Sequence, residues 1–386
     1  MDLHRADLAE NPLPGYARYR TDGPLIRNDG SLPIETDWIA TSREAVDFIF
    51  RRADLFSSAL TRADLGNVRP LIPLEIDPPD HVRYRRLLDP FFAPKQLAGL
   101  EPSLRSQINE FIDSFIDAGA VDIRTEFFVP YPTGVFLTMY GLPLEDRPTF
   151  LRWKDAMINT YLDTERGRQA GAEMYEYMGR FIAASPGDGD DIFSQLIAES
   201  RSGDGLTVEE LLDITYLFMM AGLDTVTNTL TLGFAYLARH PEARAQLVAD
   251  PALIPGAVEE LLRIDTPAGA LHRTATADVD VGGVTVHAGE TVFCHLGAAN
   301  GDSTRIPDAE QVDFTRTESP HVSFGSGIHR CVGSHLARLE VRLVMEELLP
   351  RIPDFELDPE LDTVAMPIFE GLRQLPITFR PGGRTP

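Results

Sequence analysis

A mainly α-helical protein with a minor β portion is the fold class that the 386-residue sequence predicts. Most of the chain between residues 81 and 264 carries apolar residues at helical spacing, separated by loops such as SPGDGDD and SRSGDG. β-like patterns occur at approximately 20–60, 270–300 and 355–380. No linker divides the chain, so we expect a single domain over residues 1–386.

The elements follow in chain order. The first 75 residues mix short apolar runs with turn formers, which predicts a small hairpin-like β region with helices around it. A helix is predicted from His81, and further helices over 96–118, 143–162, 167–184, 207–240 and 251–264. Valines alternate around Gly282 and Gly283, which predicts a β-hairpin. Another helix is predicted to end near residue 349, followed by a β-like region.

Composition narrows the function classes. The formal net charge is −24, which argues against nonspecific binding to nucleic acid or to anionic lipid. Two cysteines, Cys294 and Cys331, are too few for a disulfide framework, so we expect a reducing, cytoplasmic setting. The first residues lack the apolar core of a signal peptide, and no apolar stretch is long enough for a membrane span.

The most informative stretch is HVSFGSGIHRCVGSHLARLE, residues 321–340. Its glycines permit unusual backbone angles around Cys331, and the helix that begins near Gly333 directs its positive end toward the sulfur. A thiolate is a ligand for soft metals and for haem iron. Zinc ligation by His329, Cys331 and His335 is an alternative, although a fourth ligand is missing. The other alternative is that Cys331 is an inert, buried cysteine.

FGSGIHRCVGSHLAR resembles the haem-binding signature of the cytochrome P450 family. The matching residues are Phe324, Gly325, Gly327, His329, Cys331, Gly333, Leu336, Ala337 and Arg338. The resemblance implies haem b (iron protoporphyrin IX) as cofactor, Cys331 as the axial ligand of its iron, and Phe324 beside the sulfur. It also implies the cytochrome P450 fold, with haem between a long kinked central helix and the helix that follows the cysteine loop.

Two other motifs agree with this resemblance. Glu260 and Arg263 lie three residues apart on one helix face, a spacing that by itself is common in solvated ion pairs. In the family such a pair joins a downstream arginine, here Arg316, to brace the haem loop. In MAGLDTVTN, Asp224 and Thr225 match the family's acid–alcohol pair, which manages protons during oxygen activation.

The Thr225 hydroxyl has a local alternative, a bond to the carbonyl of Ala221 that bends the helix. Both interpretations stay open at the sequence level.

The haem propionates need donors. His81 and Arg85 lie four residues apart on one helix face. The resemblance implies that these two residues, with Arg273 and His329, bind the propionates.

Candidate substrate contacts are Arg69, Leu271, Ile368 and Phe369. The chain is similar to the soluble, camphor-hydroxylating members of the family, in which a tyrosine eight residues before the Asp-Pro-Pro element bonds the substrate. Counting back from Asp77, that position is Arg69 here, which puts camphor itself in doubt.

The resemblance implies a haem-thiolate monooxygenase that hydroxylates a small, largely apolar substrate such as a terpenoid, steroid or aromatic compound. Its partners would be O2, an acidic iron–sulfur ferredoxin and an NAD(P)H-dependent reductase, and we expect a monomer. Alternatives are a peroxygenase on the same fold and a haem-based gas sensor or carrier without turnover. Arg83, Arg86 and Arg330 are predicted to form a basic surface for the ferredoxin.

Overall fold

A computed structural model describes residues 13–28, 36–60, 67, 69–159, 163–189, 191–201, 205–358 and 372–383, and every structural statement below concerns these residues. The α-helices are α1 (Leu13–Arg20), α2 (Arg43–Arg51), α3 (Asp80–Leu88), α4 (Pro94–Leu97), α5 (Glu101–Phe115), α6 (Pro130–Met139), α7 (Arg147–Ile158), α8 (Thr164–Ala184), α9 (Ile192–Ser200), α10 (Val208–Arg239), α11 (Pro241–Ala249), α12 (Ile254–Ile264), α13 (Leu296–Asn300) and α14 (Ser334–Leu348). A π-helical turn, Arg124–Phe128, precedes α6. Helix therefore dominates, as predicted.

The strands are short and form three sheets. They are β1 (Leu25–Arg27), β2 (Trp38–Ala40), β3 (Phe56–Ser57), β4 (Ala120–Asp122), β5 (Ala270–Ala275), β6 (Val279–Val281), β7 (Val284–Val286), β8 (Thr291–His295), β9 (Glu356–Leu357) and β10 (Pro376–Thr378). The largest sheet has the order β1-β2-β8-β5-β3, a second has the order β4-β10-β9, and β6 pairs with β7. The β6–β7 hairpin turns through Gly282 and Gly283, both at positive φ, which confirms the hairpin prediction.

The long central helix α10 organises the core. Thr207 caps its first turn and forms a capping box with Glu210, so the helix begins where the sequence predicts. Its 32 residues run without interruption, and most of them are buried. It packs against α6, α8 and α14. None of the helices described is both long and apolar enough to cross a bilayer.

The large sheet and the helices α12, α13 and α14 enclose the cysteine loop. α12 packs against α13 and α14, and α2 packs against the short 3-10 turn Gly327–His329 inside the loop. Val322 of the loop belongs to the apolar cluster of the large sheet, and Phe324 packs against the main helical core, so the loop lies between the two.

Candidate functional site

A cavity of about 300 Å³ lies between α10 and the cysteine loop. Its apolar wall comes from Pro73, Leu74, Phe92, Pro132, Val135, Phe136, Met139, Leu217, Phe218, Leu223, Val226, Pro267, Ala268, Leu271, Leu296, Phe324, Val332, Leu336 and Ala337. Polar groups reach it at few points, among them His81, Arg85, Thr225, His329 and Cys331. A largely apolar cavity with a few convergent polar groups is typical of a small-molecule or cofactor site.

Glycine is required in the cysteine loop for two different reasons. Gly325 has φ +68° with open space around the position of a Cβ atom, so its requirement is conformational. Gly327 has φ +72°, and a Cβ there would lie 2.2 Å from the carbonyl oxygen of Phe50, so its requirement is also steric. The turn closes where the Cys331 N–H donates to the carbonyl oxygen of Phe324 at 2.8 Å. These contacts place Cys331 just before α14.

Cys331 is solvent-accessible and lines the cavity. Burial raises its pKa, while a bond from the Gly333 backbone and the positive charges of Arg85, Arg330 and Arg338 oppose that rise. A metal ion bound to the sulfur favours the thiolate further. The site is therefore suited to a thiolate that a bound metal keeps ionised.

Two histidines meet at one end of the cavity. The rings of His81 and His329 lie 4.2 Å apart between centroids. Within the described chain, both ring nitrogens of His81 and Nε2 of His329 are buried without a hydrogen-bond partner. Burial above all, together with the charges of Arg85 and Arg273, lowers the pKa of His81 to about 4 and that of His329 to about 3. Unpaired donors in a positive environment fit the carboxylates of a haem, so the residues present fit haem b.

The two predicted arginine donors lie near these histidines. Arg85 lines the cavity, donates to the carbonyl oxygen of Arg330 at 2.6 Å and to Asp89 at 2.7 Å. Arg273 is buried, donates to the carbonyl oxygen of His272, and lies with its guanidinium 5.1 Å from the ring centroid of Phe50. Arg85 thus ties α3 to the cysteine loop.

The structure separates the predicted acid–alcohol pair. Thr225 lines the cavity, and its hydroxyl donates to the carbonyl oxygen of Ala221 at 2.8 Å, the local bond that the sequence left open. Asp224 is buried and is not on the cavity wall. Its Oδ1 accepts from Nζ of Lys154 on α7 at 2.9 Å, in a pair whose side chains are both under 10% exposed. Burial lowers the pKa of Lys154, but the charges of Asp224 and Asp155 outweigh it and raise the pKa overall.

Lys154 and Glu340 are site residues that the sequence interpretation missed. Lys154 is a single lysine on an amphipathic helix, and nothing in its sequence neighbourhood shows that it is buried. Glu340 is buried on the cavity wall, its Oε2 has no partner among the described residues, and burial raises its pKa well above the usual value. Its spacing from Leu336 and Ala337 places it on the inner face of α14, a signal that the sequence does contain.

The predicted bracing trio is assembled. Arg263 donates from Nε and Nη2 to the two carboxylate oxygens of Glu260 at 2.9 and 2.8 Å, and both side chains are buried. Nε of Arg316 lies 3.3 Å from Glu260 Oε1. Arg263 also donates to backbone carbonyls that precede the cysteine loop, so the trio fixes the approach to the loop.

The predicted substrate residues divide into three cases. Leu271 lines the cavity. Ile368 and Phe369 lie outside the described residues. Arg69 is not on the cavity wall, and its Nε instead donates to the buried carboxylate of Asp213 at 2.7 Å.

The predicted basic surface needs a correction at one residue. Arg83 is not free, because its guanidinium binds the carboxylate of Glu210 at 2.7 Å and the carbonyl oxygen of Gly205 at 2.6 Å. Arg86 and Arg330 are exposed, as predicted.

The cytochrome P450 family model matches residues 183–378. Cytochrome P450 monooxygenase PikC of Streptomyces venezuelae is 34% identical, over 97% of this chain and 93% of that protein. Vitamin D(3) 25-hydroxylase of Pseudonocardia autotrophica is 32% identical, over 98% of this chain and 96% of that protein.

The solved structures agree. CYP109E1 from Bacillus megaterium, in complex with testosterone, superposes with a TM-score of 0.86 at 29% identity, over 96% of this chain and 99% of that one. P450BioI in complex with an acyl carrier protein carrying hexadec-9Z-enoic acid gives a TM-score of 0.87 at 30% identity, over 96% and 98%. This chain belongs to the cytochrome P450 family of haem-thiolate monooxygenases, with haem b as its cofactor.

Proposed function

We propose that this monooxygenase hydroxylates a small, largely apolar organic substrate, such as a terpenoid, steroid or aromatic compound. The observation that carries the proposal is the wall of the cavity, where aliphatic and aromatic side chains greatly outnumber polar ones. Burial of apolar surface contributes about 25 cal/mol per Å², so such a wall favours a substrate with little polarity. The testosterone complex of a structural neighbour supports the same substrate class.

We propose that Cys331 is the axial ligand and that His81, Arg85, Arg273 and His329 hold the propionates. When bound, the haem supplies the site at which dioxygen is reduced and one oxygen atom is transferred to the substrate. The protein's own contribution is to hold the thiolate, to exclude water with the apolar wall, and to position one C–H bond of the substrate beside α10.

The proposed proton route uses Thr225 and Asp224. The Thr225 hydroxyl already donates to Ala221, so toward the cavity it presents an acceptor, and it must rotate before it donates there. Asp224 is bound to Lys154 and does not line the cavity, so it must leave that lysine before it can exchange a proton with the cavity. The presence of both residues supports the use of O2 rather than of hydrogen peroxide.

The remaining proposals concern the setting of the enzyme. Electrons would come from NAD(P)H through a reductase and an acidic ferredoxin, which would dock near the cysteine loop. We place the protein in the cytoplasm, as a single-domain monomer that binds no nucleic acid, in keeping with its net charge of −24.

The substrate class is tested by titrating haem-loaded protein with steroids, terpenoids, aromatic compounds and matched charged analogues. Substrates of the proposed class should shift the haem spectrum from low spin to high spin, and they should yield hydroxylated product. A shift confined to charged or strongly polar compounds would contradict the proposal.

The axial ligand is tested by Cys331→His. Reduced wild-type protein with carbon monoxide should show the red-shifted Soret band of a thiolate-bound haem, and the variant should lose it even where haem is retained. Cys294→Ala is the matched control, because Cys294 is the other thiol and is buried on β8. An unchanged band in Cys331→His, or its loss in Cys294→Ala, would move the ligand role away from Cys331.

A further inference from the structure

His321 is the first histidine of the cysteine-loop motif and has no role in the site described so far. Its ring is almost completely buried, and its Nδ1 accepts a hydrogen bond from the Ser323 N–H at 3.2 Å. Nε2 must therefore carry the proton of a neutral ring, and it donates to Oε2 of Glu259 at 3.1 Å. Burial lowers the pKa of His321, which agrees with a neutral imidazole.

Glu259 joins this histidine to the helix that follows the cysteine. Arg338 on α14 donates from Nε and Nη2 to the two oxygens of Glu259, at 2.6 and 2.8 Å. Such bidentate, charge-assisted pairs are among the strongest hydrogen bonds in proteins. Burial raises the pKa of Glu259, but the bonds from Arg338 and His321 outweigh it and lower the pKa to about 2. With a neutral histidine, the cluster has no net charge.

The cluster of His321, Glu259 and Arg338 packs against the ring of Phe324. The guanidinium carbon of Arg338 lies 4.5 Å from the centroid of the Phe324 ring, and the His321 ring lies 5.7 Å from it. A guanidinium at this distance from an aromatic face makes a cation–π contact. Phe324 in turn accepts the Cys331 N–H at its carbonyl oxygen. The positive charge of Arg338 also acts on the Cys331 thiol.

We propose that His321, Glu259 and Arg338 form a charge-compensated clamp that positions Phe324 and sets the reduction potential of the bound haem. The inference rests on the proposed role of Cys331 as axial ligand. Reduction of the haem adds one negative charge, so a nearby cation stabilises the reduced form and a nearby anion destabilises it. The negative charge of Glu259 compensates the positive charge of Arg338, and the reduction potential of the haem depends on that compensation.

The clamp predicts that removing Glu259 and removing Arg338 shift the reduction potential in opposite directions. Glu259→Gln leaves Arg338 uncompensated and should raise the potential. Arg338→Gln leaves Glu259 uncompensated and should lower it. Each change should alter the equilibrium constant for reduction by about threefold or more, and the double variant should return close to wild type. The measurement is a spectroelectrochemical titration of haem-loaded protein, which does not depend on turnover.

Two further variants separate charge from packing. Arg342→Gln removes an equally exposed arginine one turn along α14 that pairs with Glu101 and Glu346, and it should leave the potential unchanged. Arg338→Lys keeps the charge but loses the planar guanidinium, and its reduction potential should stay close to that of the wild type. This variant also tests Arg338 if Arg338→Gln fails to retain haem. Shifts of one sign in both single variants, or none, would overturn the proposal, as would a lysine variant that behaves like the glutamine variant.

The carbon monoxide spectrum of each protein keeps this result separate from the proposed axial ligand. If wild-type protein lacks the thiolate band, the role of Cys331 fails. If the band is present and the potentials do not move as described, the clamp alone fails.

Discussion

Thr225 shows how one hydroxyl can serve both a helix and a cavity. Its bond to Ala221 satisfies the donor locally, while the oxygen remains on the cavity wall. Thr229 makes the same bond, to the Thr225 carbonyl at 2.8 Å, but does not line the cavity. The two threonines therefore share their helical role and differ in their access to the cavity.

This difference gives the test of Thr225. Thr225→Ala should still bind substrate and dioxygen, but proton delivery loses a positioned hydroxyl, so more NADPH should be spent on hydrogen peroxide and less on product. A decrease of about tenfold or more in product per NADPH is expected, measured with any substrate that shifts the spin state. Thr229→Ala should form as much product per NADPH as the wild type. Equal decreases in both variants would show that Thr225 has a helical role only.

At the scale of elements, the start of α10 is connected to α3, the helix that carries His81 and Arg85, two of the proposed propionate donors. Glu210 closes the capping box by accepting from the Thr207 N–H at 2.7 Å, and it also accepts from Arg83 and from the Tyr84 hydroxyl, each at 2.7 Å. Burial raises the pKa of Glu210, but these bonds outweigh it and lower the pKa to about 2. One carboxylate thus joins α3 to α10.

Glu210→Ala should destabilise the protein by about 2 kcal/mol at neutral pH, because it removes half of the capping box and the charge-assisted bonds to α3. The lowered pKa means that Glu210 stabilises the fold above its unfolded value, near 4.5, and that this contribution is lost as the pH falls toward 2. Urea unfolding at pH 7 and at acidic pH measures both effects. Glu209→Ala, at the exposed neighbouring position, should have little effect; an equal loss would exclude a specific role for Glu210.

The elements that the sequence predicts well are those with one buried face or a distinct turn. α8 and α12 are amphipathic, and the β6–β7 hairpin turns at two glycines. α6 was missed because nearly all of Pro130–Met139 is buried, so its sequence has no polar face and no helical period. The cysteine loop was predicted because Gly325 and Gly327 each have a local backbone reason. Lys154 was not, since its partner Asp224 is 70 residues away and only folding brings them together.

At the scale of the whole molecule, a strongly acidic protein must receive electrons from what we propose is an acidic partner. Arg86 and Arg330 are exposed near the cysteine loop, and the exposed apolar residues Val82 and Ile328 lie beside them in sequence. Local positive charge can outweigh a distant negative excess, because salt screens exposed charges beyond about 8 Å. We therefore keep this surface as the predicted docking site, without Arg83.

Arg86→Glu and Arg330→Glu should each slow ferredoxin-driven reduction several-fold and flatten its dependence on salt. Turnover driven by hydrogen peroxide should survive, since it bypasses the partner. The matched control is Arg180→Glu on α8, an exposed arginine on an element that contributes nothing to the cavity wall. Stopped-flow reduction at several ionic strengths measures the effect; rates in both variants that match the control would place docking elsewhere.

The cavity between α10 and the cysteine loop also has a consequence for folding. In haem-free protein, the apolar side chains of the cavity wall lack contacts, and the buried nitrogens of His81 and His329 lack hydrogen-bond partners. Each of these two effects lowers the stability of the fold. A ligand that binds the native state alone stabilises it by about 4 kcal/mol when its free concentration is a thousand times its Kd. Haem is therefore a thermodynamic partner in folding, and the folded fraction in a cell should follow the haem supply. Haem-loaded protein should unfold at a higher urea concentration and resist protease longer than haem-free protein; equal midpoints would show that the fold stands without its cofactor.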